Sequence, residues 1–131
     1  MAPKHITGLL IDPLTGAELV PVPATGQGLR DLIGGFAEGL TGGARDWVCY
    51  VDEDGKVRAD PPPPNPVATA LARALGWRGG ARGDDYLVGR ALFLGVKGTQ
   101  EASVPGLVVA ALAAAGHCVA GHMPPGEAAG Q

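Results

Sequence analysis

The sequence is poor in charged and aromatic side chains, and it has few cysteines. Charged residues make up 18% and aromatic residues 5% of the chain, and the net charge is -3. A chain with so little positive charge offers no basic surface to neutralise phosphates, which argues against nucleic-acid binding. The two cysteines, Cys49 and Cys118, are too few for a disulfide framework, and we expect free thiols in a reducing cytoplasm.

The sequence also lacks a long apolar run. The longest one, VPGLVVAALAAAG, is too short to cross a hydrocarbon core of about 30 Å. Near the N-terminus, Asp12 and Pro13 interrupt the apolar stretch, which is untypical of a secretory signal or a membrane anchor. We therefore expect a cytoplasmic protein with no membrane partner.

The remaining residues supply enough apolar material for one folded domain. Hydrophobic residues are 46% of the 131 positions, and a chain of roughly 100 to 150 residues commonly forms one domain. We expect a single α+β domain over residues 1–116 and a flexible C-terminal tail over residues 117–131. The periodicity of the segments predicts a small mixed or antiparallel sheet of about four to six strands, with two or three short helices packed on it.

The N-terminal segments predict a hairpin followed by a helix. HITGLLI and AELVPV flank the turn DPLTG, in which Pro13 and Gly16 favour a tight reversal of the chain. In GQGLRDLIGGFAEGL, the glycine pair at 34–35 ends a short helix, a reading that we prefer to a phosphate-binding loop. Four apolar residues share one face of this helix: Leu29, Leu32, Ile33 and Phe36.

DWVCYVDEDGKV alternates aromatic and β-branched residues, as strands commonly do. Trp47, Cys49 and Val51 fall on one face of it, so Cys49 is interpreted as a small core residue and not as a nucleophile. Asp54 and Gly55 form a dipeptide typical of hairpin turns, and we expect a hairpin there.

The segment PPPPNPVATALARALG predicts an extended connector and then a helix. Asn65 stands where a helix N-cap belongs, Pro66 occupies the first helical position, and Gly76 ends the helix. Replacing an N-cap asparagine by alanine typically costs about 1 kcal/mol, and by glycine only a few tenths. Because aspartate also caps helices, we expect Asn65→Asp to fold normally.

YLVGRALFLGV is the most strand-like segment of the chain. Gly89, Ala91 and Gly95 share a face, which indicates that another backbone approaches closely there. Arg90 is explained by an edge position or a bulge, with anion binding as the alternative. Residues 104–115 predict an apolar helix that is either buried or packed against a partner.

Metal ligands are not convincingly arranged. The acidic run at 52–54 lacks the glycine and the glutamate that a calcium loop needs at its sixth and twelfth positions. His117, Cys118 and His122 are competent ligands, but they lie in a glycine-rich tail without zinc spacing. We predict no metal and no cofactor.

Three segments in order, LRDLIGGFAEGL, CYVDEDGKVRADPPPPNPVATAL and GDDYLVGRALFLG, resemble the uncharacterised bacterial and phage domain-of-unknown-function family 3846. The resemblance covers about residues 6–96. The family's turn asparagine is replaced here by Asp52, and prolines lengthen the segment before Asn65. The resemblance implies no known activity, substrate or cofactor. It implies a context of small accessory proteins in actinobacteria, mobile elements and phages.

Two hypotheses about function follow from these observations. The first is a non-enzymatic accessory protein that binds a host protein or associates with itself, since no base and nucleophile pair stands out and the last helix is nearly all apolar. The second is a binding protein, or less readily an enzyme, for a nucleotide-like anion. Its candidate binding residues, which would converge only if the two hairpins pack side by side, are Glu38, Tyr50, Asp52, Asn65 and Arg90. No catalytic residue is assigned.

Overall fold

A computed structural model describes residues 5–23, 26–43, 46–80 and 82–121. Its strands are β1 (His5–Asp12), β2 (Gly16–Pro23), β3 (Ala37–Leu40), β4 (Trp47–Asp52), β5 (Ala91–Lys97), β6 (Gln100–Ala102) and β7 (Val119–Ala120). Its helices are α1 (Gly26–Ile33), α2 (Pro66–Ala74) and α3 (Gly106–Ala114), and a 3-10 turn covers Gly55–Val57. The α+β fold expected from the sequence is confirmed.

The strands form one open, mixed sheet in the order β3-β4-β5-β1-β2-β7, with β6 paired to β5. All pairings are antiparallel except that of β2 with β7. The first hairpin is confirmed, because β1 and β2 pair in register from His5 with Pro23 to Asp12 with Gly16. The sheet has seven strands, which exceeds the expected number because β6 and β7 are short additions.

The sheet carries a hydrophobic core on each face. Trp47, Cys49 and Val51 of β4 point to one face, where α2 and α3 supply residues such as Leu71 and Leu112. The opposite face packs against α1 through residues that include Ile33, Leu92 and Leu94. Alternation along β4 and β5 therefore places successive side chains in different cores.

Two sequence predictions, one for Phe36 and one for the turn at Gly55, are wrong. Phe36 does not lie on the helical face, because Gly34 adopts a φ of 89° and α1 ends at Ile33. Phe36 is 61% exposed, and its ring contacts the guanidinium of Arg30. No hairpin forms at Gly55, because β4 already has β3 and β5 as neighbours and the chain turns into the 3-10 helix instead.

The close approach expected along β5 is present at Gly95. A β-carbon at this position would lie 2.4 Å from the carbonyl oxygen of Ser103. The apolar helix of the C-terminal region is also present as α3, and its N-cap is Pro105. Val119 and Ala120, which the sequence analysis assigned to the tail, pair with β2.

Candidate functional site

Asn65 forms the N-cap of α2 and is fully buried. Its Oδ1 accepts a hydrogen bond from the amide of Ala68 at 3.1 Å, as the sequence predicted. Its Nδ2 donates to two carbonyl oxygens, those of Ile11 at 2.9 Å and Gly89 at 2.8 Å. The exposed fraction of Asn65 is 0%. An ionised aspartate at this position would have no N–H for either carbonyl, so the structure argues against the expectation that Asn65→Asp folds normally, and we predict lower stability instead.

Arg90 lies immediately before β5 and pairs with the end of β1. Its Nε lies 3.0 Å from Oδ2 of Asp12, and its Nη1 donates weakly to the carbonyl oxygen of Leu32 at 3.4 Å. Burial opposes ionisation of Asp12, but the amides of Leu14 and Thr15 and the guanidinium of Arg90 together lower its pKa. Of the two positions expected for Arg90, an edge or a bulge, the edge does not apply, because β5 has neighbours on both sides; Arg90 lies at the irregular backbone just before the strand.

Asp52 is held by a second ion pair. Nη2 of Arg58 lies 2.7 Å from Oδ2 of Asp52, and Oδ1 of Asp52 accepts from the amide of Asp54 at 3.0 Å. A β-carbon on Gly35 would lie 2.6 Å from the Asp52 carboxylate and 2.7 Å from the Arg58 guanidinium, so a larger residue there would have to shift this ion pair. The acidic run after β4 is therefore a turn stabilised by its own side chains.

A groove of about 520 Å³ brings Asp52 and Arg90 together. The two ion pairs lie along it, and the prolines at 61–63 and the turn after β1 form its sides. Asp60 also lines the groove, which therefore contains three carboxylates and two arginines. Each arginine already has a carboxylate partner, so an anion entering this groove would compete with that carboxylate for the guanidinium and be repelled by its charge.

The other candidate residues do not join this groove. Tyr50 packs against the α1-side core, and its hydroxyl donates to Oε2 of Glu101. Burial, and next the carboxylate of Glu101, raise the pKa of Tyr50 to about 12. Glu38 pairs in register with Val51, so it lies on the α2 and α3 side of the sheet, opposite to Tyr50. Asn65 borders a different cavity, with Pro66 and Val67.

The two predicted hairpins do not pack side by side, because the second one does not form and β5 lies between β4 and the first hairpin. The structure thus gathers two of the five candidates, Asp52 and Arg90, into this groove, and Glu38 shares a smaller cavity with Asp52. Sequence reasoning missed Asp12 and Arg58, which are the partners of Arg90 and Asp52. Asp12 looked like a turn residue, and nothing in its local sequence indicates a partner 78 positions away.

The structure also shows where the cysteines and most of the potential metal ligands lie. Cys49 is fully buried, and desolvation raises the pKa of its thiol well above the ordinary range, as expected of a core residue. His117 and Cys118 are exposed, whereas His122 lies outside the described residues. Within the described ranges, no three His, Cys, Asp or Glu side chains are grouped as a metal site would need.

Comparison with known proteins identifies a family. The chain matches the family described as Domain of unknown function (DUF3846) over residues 6–114. The protein belongs to this family. No curated protein and no solved structure matches it. The match extends beyond the segments that carry the resemblance, through β6 and α3. Among the described residues, no helix has the length and apolar character needed to span a membrane.

Proposed function

We propose that this protein is a small, non-enzymatic accessory protein that acts by protein–protein binding through the outer face of α3. The observation that carries the proposal is the composition of this helix, GLVVAALAA, which contains no charged or polar side chain. Val108 and Leu112 bury one side of it against the sheet. Leu107 on the other side is 74% exposed. An exposed apolar helix face of this kind is typical of an interaction surface.

The exposed face of α3 fits a second copy of itself. Leu107 is followed along this face by Ala110 and Ala114, which are also exposed. In an antiparallel pair of α3 helices, Leu107 of each copy would lie opposite the alanines of the other, so a large side chain meets small ones twice. Such a self-complementary contact is what two-fold symmetry requires. With no charge on α3, the net charge of -3 per chain is not concentrated at the contact.

The biological setting belongs to the same proposal. We infer a role in a phage or mobile element, on the strength of the resemblance to small accessory proteins of that family. We place the protein in the cytoplasm, a setting that its two free thiols, the buried Cys49 and the exposed Cys118, support. A host protein would be the alternative occupant of the α3 face.

Size-exclusion chromatography with light scattering tests the proposal. The wild-type protein is expected to form a dimer, and Leu107→Lys to be monomeric while keeping its thermal midpoint. Leu14→Lys is the matched control, because Leu14 is also 80% exposed but lies in the turn between β1 and β2. A wild-type monomer that captures no host protein in a Leu107-dependent manner would overturn the proposal.

A further inference from the structure

A further concave surface lies between two glycine-rich loops, away from the candidate residues that the sequence indicated. It is a cavity of about 570 Å³, within the range of roughly 300–1,000 Å³ usual for small-molecule sites. Thr41, Trp77 and Arg78 line it together with glycines at 42–43, 76 and 79–80. It shares no residue with α3.

The charge of this cavity distinguishes it from its neighbours. Arg78 is the one charged residue among the described residues that line it. The groove beside Arg90 is lined by Asp12, Asp52 and Asp60, and four of the five charged residues that line the small cavity beside Glu38 are carboxylates. The guanidinium of Arg78 is exposed, and no ion pair within the described residues engages it. An anion here meets a cation that has no ion-pair partner among the described residues. The carboxylate of Asp85 lies nearby, since its Oδ2 would lie 3.9 Å from a β-carbon on Gly80, and it is already paired with Lys56.

Trp77 provides a fixed aromatic wall. Its backbone amide donates to the carbonyl oxygen of Ala72 at 2.9 Å, which ties it to the last turn of α2. Its side chain packs against the core on the α2 and α3 side of the sheet and is only partly buried. A partly exposed indole that is held in place offers a surface on which a planar ring can stack.

The glycines let the two loops approach each other closely, and they place backbone groups of the exposed Gly80 and the buried Gly79 in the lining of the cavity. A β-carbon on Gly42 would lie 2.3 Å from the carbonyl oxygen of Gly76, so the two loops are in direct backbone contact. Gly79 and Gly80 have φ values of 71° and 78°. Within the described part of the chain, their amides donate no hydrogen bond. Backbone amides at left-handed glycines are donors that anion sites commonly use.

We propose that this cavity binds a small molecule that combines a flat aromatic ring with an anionic group, of the nucleoside monophosphate class. The ring stacks on Trp77, and the phosphate oxygens accept hydrogen bonds from Arg78 and from the amides of Gly79 and Gly80. Small-molecule binding here goes beyond the protein-binding role of α3. It also differs from the anion hypothesis drawn from the sequence, which placed the ligand at other residues.

Isothermal titration calorimetry with adenosine 5′-monophosphate as the probe tests this site, and adenosine and inorganic phosphate separate the contributions of ring and charge. The monophosphate is expected to bind, and each fragment to bind at least about tenfold more weakly. Arg78→Gln should weaken binding of the monophosphate about tenfold, because it removes the cation. Arg82→Gln is the matched control, since Arg82 is an exposed arginine outside the cavity, and it should change the affinity less than about twofold.

Trp77 gives a second measurement. Stacking of the base should quench the fluorescence of Trp77, whereas Trp47 is buried in the core and should not respond. Trp77→Phe keeps a ring against the core, and it should lose the quenching and bind more weakly. No heat and no quenching with any of the three probes at millimolar concentration would overturn the proposal. So would binding that is equally strong in Arg78→Gln and wild type.

Discussion

The side-chain amide of Asn65 donates a hydrogen bond to the carbonyl oxygen of Gly89 at 2.8 Å, and the backbone of Gly89 donates in return to Pro63. The same amide donates to Ile11 at the end of β1. One buried side chain thus joins the start of α2, the approach to β5 and the first hairpin. The proline segment ending at Asn65 is more than a connector, because it brings this side chain to the point where three elements meet.

Asn65→Asp should lower the free energy of unfolding by about 3 kcal/mol or more at pH 7. The aspartate keeps the cap on α2, but it leaves the carbonyl oxygens of Ile11 and Gly89 without a donor and places a buried carboxylate against them. Burial raises the pKa of such a carboxyl group, so the loss should be smaller near pH 4, where protonation restores one donor. Urea unfolding at both pH values measures the effect.

The control for this substitution is Asp84→Asn, a change at an exposed position that should alter the stability by less than about 0.5 kcal/mol. Asn65→Ala and Asn65→Gly should both be destabilised by more than the cap alone accounts for, because each loses three buried hydrogen bonds. Wild-type stability of Asn65→Asp at pH 7 would show that the amide does not make these contacts.

Local chemistry made several elements predictable. Pro13 and Gly16 define the first turn, Asn65 and Pro66 define the start of α2, and Gly34 and Gly76 end α1 and α2. In each case a residue acts on the backbone within one turn of its own position, so the effect can be inferred from sequence alone.

The candidate site was less predictable, because its contacts are distant in sequence. Asn65 reaches Ile11 across 54 positions, and Arg90 reaches Asp12 across 78. The hairpin expected at Gly55 failed for a related reason: Asp-Gly favours a turn, but no strand position beside β4 was vacant. Trp77 and Arg78 gave no signal, since the glycine loops that form their cavity are brought together only by the fold.

Gly95→Ala should lower the free energy of unfolding by about 1–3 kcal/mol. Gly95 lies in β5 between Trp47 and Ala102, and the new methyl group would meet the carbonyl oxygen of Ser103 at 2.4 Å. That oxygen belongs to the backbone, so it cannot rotate away. Chemical unfolding of the purified variant provides the measurement.

Gly39→Ala is the comparison, because Gly39 lies in the edge strand β3 and its closest neighbour would be a ring carbon of Tyr50 at 3.2 Å. A side chain can move by the small amount required, so this variant should lose less than about 1 kcal/mol. If Gly95→Ala proves as stable as Gly39→Ala, the backbone does not approach β5 as closely as described.

The stability of the protein should fall in acid as Asp12 and Asp85 become protonated. The hydrogen bond from Lys56 to Asp85, and the amides and Arg90 around Asp12, lower both pKa values in the folded state. A lowered pKa adds stability above the unfolded value of about 3.9, and this stability is lost as the pH falls through the folded value. The urea concentration at the unfolding midpoint should therefore decrease as the pH is lowered below about 4.

Asp12→Asn tests the contribution of one of these groups. It removes the ionisation and the pair with Arg90, so the variant should be less stable than wild type at pH 7 and should lose less of its stability on acidification. Glu18→Asn is a control at a position without an ion pair within the described residues, and it should keep the wild-type slope. An unchanged acid slope in Asp12→Asn would contradict the assignment.

Tyr50 should ionise later than an ordinary tyrosine. Burial, and next the carboxylate of Glu101, raise its pKa to about 12 in the folded state. A raised pKa means that the associated stability is present below the unfolded value of about 10 and is lost as the pH rises towards 12. Absorbance of the phenolate reports this ionisation directly, and Tyr86→Phe leaves Tyr50 as the one tyrosine that is observed.

In the Tyr86→Phe background, Glu101→Gln should lower the pKa of Tyr50 only in part. The amide oxygen still accepts the hydrogen bond, whereas the negative charge that opposes ionisation is gone, and the larger effect of burial remains. Glu18→Gln removes an equal charge from β2, outside this contact, and should leave the titration unchanged. If Glu101→Gln and Glu18→Gln titrate alike, the hydroxyl of Tyr50 does not bind Glu101, and burial alone accounts for its raised pKa.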